Sequence, residues 1–234
     1  TDRLSFKNEL ITSNNIGKVN NSGPRIGFAA MTGDVAEFAT RPEIYGGLGI
    51  QPFTSMIGYQ IEGQYVGTEN FSALVEGIVN ISGLEQSQFI PSFSLLNGFR
   101  FGKANWEFAF GPRFGVKSTS TGYLDTKGEY GAQGGYYTQQ EWLASGGKEL
   151  LSTGEIILEP FGGFTEHLDK EGSKRLATSF LVAFGRTFQA GALNIPVNLF
   201  YSSQKGGGFV GINMGFNVQK SKQPINKQSP QRYY

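Results

Sequence analysis

Between positions 104 and 117 a large apolar residue falls at every second place. Trp106, Phe108, Phe110, Pro112, Phe114 and Val116 share one face, and Glu107, Ala109, Gly111, Arg113, Gly115 and Lys117 share the other. A period of two belongs to a β-strand, because successive side chains point to opposite sides of the pleat. A soluble sheet buries its bulky apolar face, whereas a membrane barrel turns that face to lipid and keeps small and charged residues inside.

The same alternation returns in residues 25–32, 53–66, 71–82, 88–101, 176–188, 192–202 and 208–218. The first sets Ile26, Phe28 and Ala30 on one face; the second sets Ile57, Tyr59, Ile61 and Tyr65 against Gln60, Glu62 and Gln64. In the third, Phe71, Ala73, Val75, Val79 and Ile81 oppose Ser72, Glu76 and Asn80; in the fourth, Phe89, Phe93, Leu95, Phe99 and Phe101 oppose Ser92, Ser94, Gly98 and Arg100. Leu176, Phe180, Val182, Phe184 and Phe188 oppose Ala177, Ser179, Ala183 and Gly185, and the last segment sets Val210, Ile212, Met214, Phe216 and Val218 against Gly211, Asn213, Gly215 and Asn217. With 192–202, whose apolar face carries Leu193, Ile195, Val197, Leu199 and Tyr201, the pattern predicts an all-β, antiparallel up-and-down barrel of eight strands.

The connections follow a rhythm. Short turns at 67–70, 102–104 and 189–191 alternate with longer or irregular stretches at 33–52, 83–87, 118–172 and 204–207. Outer-membrane barrels alternate short periplasmic turns with longer extracellular loops and use an even number of strands. Residues 156–164 also look extended, but a ninth strand would break the parity, so they are assigned to a β-extension above the membrane. Residues 141–151 would form a short surface helix, and ten strands result if 43–50 also spans. The domain plan is therefore a polar leader at 1–23, a barrel at 24–218 with a long extracellular loop at 118–172, and a flexible periplasmic tail at 219–234.

A soluble ligand-binding barrel is the rival architecture. It would have to hold the aromatic face inside, and the interior of a barrel of about eight strands is barely wide enough for its own side chains. The glycine and serine face fits that space, so the aromatic face is expected outside, with Trp106, Phe108, Phe110, Phe114, Phe93, Phe99, Phe180 and Phe184 meeting lipid or in part a neighbouring protein. Glu62, Glu76, Arg100, Glu107 and Arg113 then point into the lumen, where a buried ion-pair network is favoured over a gated polar path.

Composition agrees and narrows the chemistry. The 234 residues include 34 glycines and 14% aromatics, suiting one domain rich in turns and tightly packed strands. Twenty basic against nineteen acidic residues leave a net charge of +1, which gives no reason to propose nucleic acid as a partner. With no cysteine there is neither a disulfide framework nor a thiolate metal site. No phosphate-binding loop, zinc-type histidine pair or calcium loop is found, so no cofactor or metal is expected. The single histidine, His167, lies between Glu166 and Asp169 with Ser173 and Ser179 downstream, the residue types that lipid A-modifying barrel enzymes use. No strained nucleophile motif accompanies it, so catalysis is not expected.

Several short motifs carry a family resemblance: Gly23-Pro24-Arg25-Ile26-Gly27-Phe28, Gly83-Leu84-Glu85-Gln86 leading to Pro91-Ser92, Gly98-Phe99-Arg100, Phe110-Gly111-Pro112 and Gly215-Phe216-Asn217. Over residues 23–218, apart from the insertion within 118–172, the chain resembles an uncharacterised family of small outer-membrane β-barrels of Bacteroidota. Their architecture is similar to OmpA/OmpX-type barrels, here without a peptidoglycan-binding domain after Val218. The resemblance implies a bacterial outer-membrane location and no assigned activity. The functional expectation is a non-enzymatic outer-membrane barrel acting through its extracellular loops or as a structural or interaction protein. The alternative is an accessory subunit of a larger export, assembly or uptake complex, engaged through the tail ending in Tyr233 and Tyr234.

Overall fold

The computed structural model describes residues 19–68, 70–102, 104–125, 135–137 and 161–218. In chain order its strands are β1 (Gly23–Gly33), β2 (Phe53–Gly67), β3 (Phe71–Ser82), β4 (Ile90–Phe101), β5 (Trp106–Asp125), β6 (Gly135–Tyr137), β7 (Phe161–Leu168), β8 (Ser173–Ala190), β9 (Leu193–Gln204), β10 (Gly207–Gly215) and β11 (Asn217–Val218). One seven-residue helix, α1 (Asp34–Thr40), follows β1.

Eight strands close into an antiparallel ring in the order β1, β2, β3, β4, β5, β8, β9 and β10, and β10 returns to pair with β1 from Arg25↔Gly215 to Gly33↔Gly207. Closure leaves no unpaired sheet edge between first and last strands, which is how an up-and-down barrel satisfies its backbone. β6 and β7 pair with the end of β5 between Thr119 and Asp125, extending the sheet beyond the ring. That is the role expected for the extended stretch at 156–164, of which 161–164 are described. The ten-strand alternative fails: within 43–50 the chain forms a single 3-10 turn, Glu43–Tyr45. The stretch at 204–207 is tighter than expected, because Gln204 pairs directly with Gly207 across a two-residue turn. The proposed helix at 141–151, the tail at 219–234 and most of the leader lie outside the described residues. No helix among the described residues is long and apolar enough to cross a membrane.

Burial follows the alternation of the sequence. From Ser92 to Gly98 each residue switches between buried and exposed, so Phe93 and Leu95 lie outside while Ser94 and Leu96 lie inside. Every strand of the ring contributes large apolar side chains to the outer surface, among them Phe28, Ile57, Val79, Phe93, Trp106, Phe180, Leu199 and Ile212. Across β3, β4, β5 and β8 these rings touch one another. Phe71 stacks on Phe99 at 6.1 Å, Phe99 meets Phe110 at 6.1 Å, Phe110 meets Phe180 at 6.2 Å and Trp106 stacks on Phe184 at 5.3 Å between centroids.

Glycine on the inner face lets side chains cross the lumen. A Cβ on Gly98 would stand 2.1 Å from Glu76 Oε1, so the missing side chain is what admits that carboxylate. The inner face is not uniformly small, however. Ala29, Met56, Leu96, Ala109, Leu181 and Phe200 form an apolar layer across the middle of the barrel, where only small and charged residues were expected.

Candidate functional site

Three levels fill the barrel. The end carrying the short turns holds a polar network, the middle holds the apolar layer, and the end carrying the long connections holds a chamber covered by α1.

The network starts from a strand pairing that would be unfavourable alone. Glu62 of β2 lies directly opposite Glu76 of β3, and like charges in that position repel. The adjacent hairpin supplies the counter-charge. Arg100 of β4 faces Glu107 of β5, donating from Nη2 to Glu107 Oε2 at 2.6 Å and to Glu62 Oε2 at 2.9 Å, with side chains only 3–5% exposed. Its Nε makes a further bond to Glu107 Oε2 at 3.0 Å. Glu76 is reached differently: Arg25 Nη2 donates to Gln60 Oε1 at 2.6 Å, and Gln60 Nε2 donates to Glu76 Oε2 at 3.4 Å.

The chain preceding β1 completes this level. Residues 19–22, the end of the stretch expected to lie outside the main fold, run into the lumen. Asn21 is fully buried and donates from Nδ2 to Thr187 Oγ1 at 2.8 Å and to Glu107 Oε2 at 3.4 Å. Arg100 Nη1 donates to the Val19 carbonyl at 2.8 Å, Asn194 Nδ2 to the Asn20 carbonyl at 3.4 Å, and the Glu62 amide to Ser22 Oγ at 3.0 Å. Above it remains a cavity of about 40 Å³, bordered by Arg25, Glu76, Ser94 and Arg113. That volume is the size of one or a few waters, not of a channel.

Of the five lumen residues singled out by sequence, Glu62, Glu76, Arg100 and Glu107 therefore come together and Arg113 does not. Its guanidinium sits beyond the apolar layer, over the Phe209 ring at 4.7 Å. Arg25, Gln60 and Asn21 belong to the network without having been assigned to it. For Arg25 the signal was present, since Ile26 and Phe28 facing outward place Arg25 inward. Carboxylate oxygens of Glu62, Glu76 and Glu107 lie within 4.8 Å of one another, the spacing of a metal cluster. The Arg100 guanidinium already pairs with two of them, Glu62 at 2.9 Å and Glu107 at 2.6 Å, so the chemistry is that of a buried ion-pair cluster.

The outer residues named from the sequence all lie on the outer face. Trp106, Phe93, Phe180 and Phe184 are 39–53% exposed, while Phe99, Phe108, Phe110 and Phe114 are half-buried by one another.

At the opposite end, Val35 and Ala39 of α1 pack on Met31 and Phe209, and the returning loop is fixed by bonds from the Leu48 amide to Phe38 O at 3.1 Å and from the Ile50 amide to Ala39 O at 2.8 Å. Arg41 Nη1 donates to the Leu168 carbonyl at 3.1 Å, and the Lys170 amide to Gly46 O at 2.8 Å, joining this cap to the β7–β8 connection. On the neighbouring connection, Glu85 accepts hydrogen bonds from the Ser55 amide, at 2.8 Å, and from the Ser55 hydroxyl. Slight burial opposes ionisation, but these bonds outweigh it and hold the carboxyl down at about 2.

His167 is no part of a catalytic triad with Ser179. Its ring stacks on Tyr136 at 3.6 Å, and Nε2 lies 3.5 Å from Asp169 Oδ2. Ser179 faces the lumen opposite Arg113, accepting a bond from Ser202 Oγ at 2.9 Å, whereas His167 pairs with Ser120. Seven residues of β5 separate those levels, roughly 24 Å at the rise of a strand. Ser173 pairs with Thr119 at the start of β8.

No family model, curated protein or solved structure matches the chain.

Proposed function

We propose that this chain is a small outer-membrane β-barrel without catalytic activity, acting through the surfaces at its loop-bearing end or as a structural and interaction protein of that membrane. The observation that carries the reading is the division between the two sides of the ring. Each of the eight strands turns bulky apolar and aromatic residues outward, while inside there are buried ion pairs, an apolar layer and the 19–22 segment. A water-soluble protein rarely leaves so continuous an apolar surface exposed, and a bilayer core is the solvent that matches it on all sides. The short turns and both described chain ends then face the periplasm, and the α1 cap faces outward. The filled lumen favours recognition over conduction.

The test is electrophoretic migration of detergent-extracted protein from the outer-membrane fraction, with and without boiling. A faster-migrating unboiled band supports the barrel in the membrane; recovery in the soluble fraction with no heat-dependent shift overturns it. The stacked aromatic patch across β3, β4, β5 and β8 favours a second reading, lateral docking in a larger complex. Co-purification of a stoichiometric partner in mild detergent, lost on Phe180→Glu, supports that reading, and a lone barrel excludes it.

A further inference from the structure

Beneath α1, the loop-bearing end holds a partly open chamber of about 480 Å³, within the range of roughly 300–1,000 Å³ typical of small-molecule sites. We propose that it binds a single-chain alkyl carboxylate, with the headgroup on Arg113 and the chain along Met31, Val35, Phe38 and Phe209. The site goes beyond the membrane reading and does not require it, because the chamber is defined by the barrel and its cap.

Charge selects the headgroup. Arg113, Lys117, Lys170 and Lys174 line the chamber, and no aspartate or glutamate among the described residues does. Two of the four cations are engaged at the rim: Lys170 Nζ is 2.6 Å from Glu43 and Lys117 Nζ is 3.7 Å from Glu166. Arg113 and Lys174 have no carboxylate among the described residues. Arg113 is the deeper of these two, and its guanidinium lies over the Phe209 ring at 4.7 Å. A ring face offsets only part of the cost of taking a guanidinium out of water. A carboxylate supplies what is missing, two acceptors matched to the guanidinium fork.

The wall selects the rest of the ligand. Apolar side chains from β1, α1 and β10 face the same space, which an inorganic anion would leave uncovered and an alkyl chain would fill. A route in exists beside it. The β4–β5 pairing stops at Ser92↔Gly115, while β5 continues paired to β8 as far as Thr119↔Ser173. Residues 88–91 and 115–118, on either side of that divergence, both line the chamber, so a chain can enter sideways.

The experiment is isothermal titration of decanoate into the full chain held in lipid nanodiscs, with empty nanodiscs subtracted. The expected result is one saturable site, with butanoate at least a hundredfold weaker because it lacks about six buried methylenes, and no binding of neutral decyl maltoside. Arg113→Gln should weaken decanoate about tenfold, the effect of losing a charge-assisted bond. Gly115→Leu provides an independent arm: a Cβ there meets nothing nearer than Pro91 O at 3.6 Å, so the larger residue fills the chamber without straining the strand and should abolish binding. Equal binding of decyl maltoside, absence of saturation, or decanoate affinity within twofold of the parent in Gly115→Leu overturns the proposal. If the chain does not enter nanodiscs, the membrane reading fails, and the same titration on the water-soluble protein decides this one.

Discussion

Removing Arg100 tests whether the polar network holds the barrel together. In Arg100→Met a side chain of similar length loses the bonds to Glu62, Glu107 and the Val19 carbonyl at once. Two carboxylates, each only 3% exposed, then face one another beside Glu76 with Arg25 as the one remaining cation of the cluster. Breaking a buried pair by deleting one partner costs about 3–5 kcal/mol, mostly for the charge left behind. Neutralising those charges should therefore return stability: the triple variant Arg100→Met, Glu62→Gln, Glu107→Gln is expected to recover at least about half of the loss, as coupled sites do. The assay is urea unfolding of protein refolded into lipid vesicles, followed by heat-dependent gel migration. A loss below about 1 kcal/mol in the single variant, the worth of an exposed pair, refutes the reasoning. So does a triple variant less stable than the single one.

Three further outcomes are expected. Gly111→Ala should destabilise the same unfolding transition by about 1–3 kcal/mol, because its Cβ would lie 2.2 Å from the Leu95 carbonyl oxygen, on backbone that cannot swing aside. Glu85 is depressed in the folded state, so its stabilising effect is present above the ordinary carboxylate range and lost as pH falls toward about 2. Amide exchange at Ser55, corrected for intrinsic rate, should accelerate across that window in the parent and be pH-independent in Glu85→Gln. His167→Ala should leave the lipid A of the producing cell unchanged by mass spectrometry; altered acylation would show that its stack on Tyr136 serves chemistry after all.

The strands and their two faces were legible in the sequence because each inner residue has a one-step outer neighbour of opposite character, as in Ser94 beside Leu95 or Gly111 beside Phe110. Where both neighbours are apolar the pattern loses its contrast. Leu95-Leu96 and Phe200-Tyr201 each send one member inward, and the apolar layer they help to build was missed. The ion pairs were legible as a group of inward charges but not as a partition, since whether Arg113 joins Glu107 or faces Phe209 depends on register and height around the ring. Asn21 was hidden for another reason. Asparagine, serine and glycine near a proline carry the composition of a loop, and only the cross-barrel partners Glu107 and Thr187 reveal that this one is interior.

The hold of Arg100 on the Val19 carbonyl makes the barrel a threaded object. The hairpin of β4 and β5 is local and can pair on its own, but the segment it grips lies some eighty positions earlier in the chain. That segment must either be inside when β10 meets β1 or be drawn in afterwards through the mouth. Ring closure and threading are separate events only in the second order. In that order a variant weakened only at Asn21 closes its ring at the normal rate and lags in the final step, when the segment ahead of β1 is seated in the lumen; in the first order it slows closure itself.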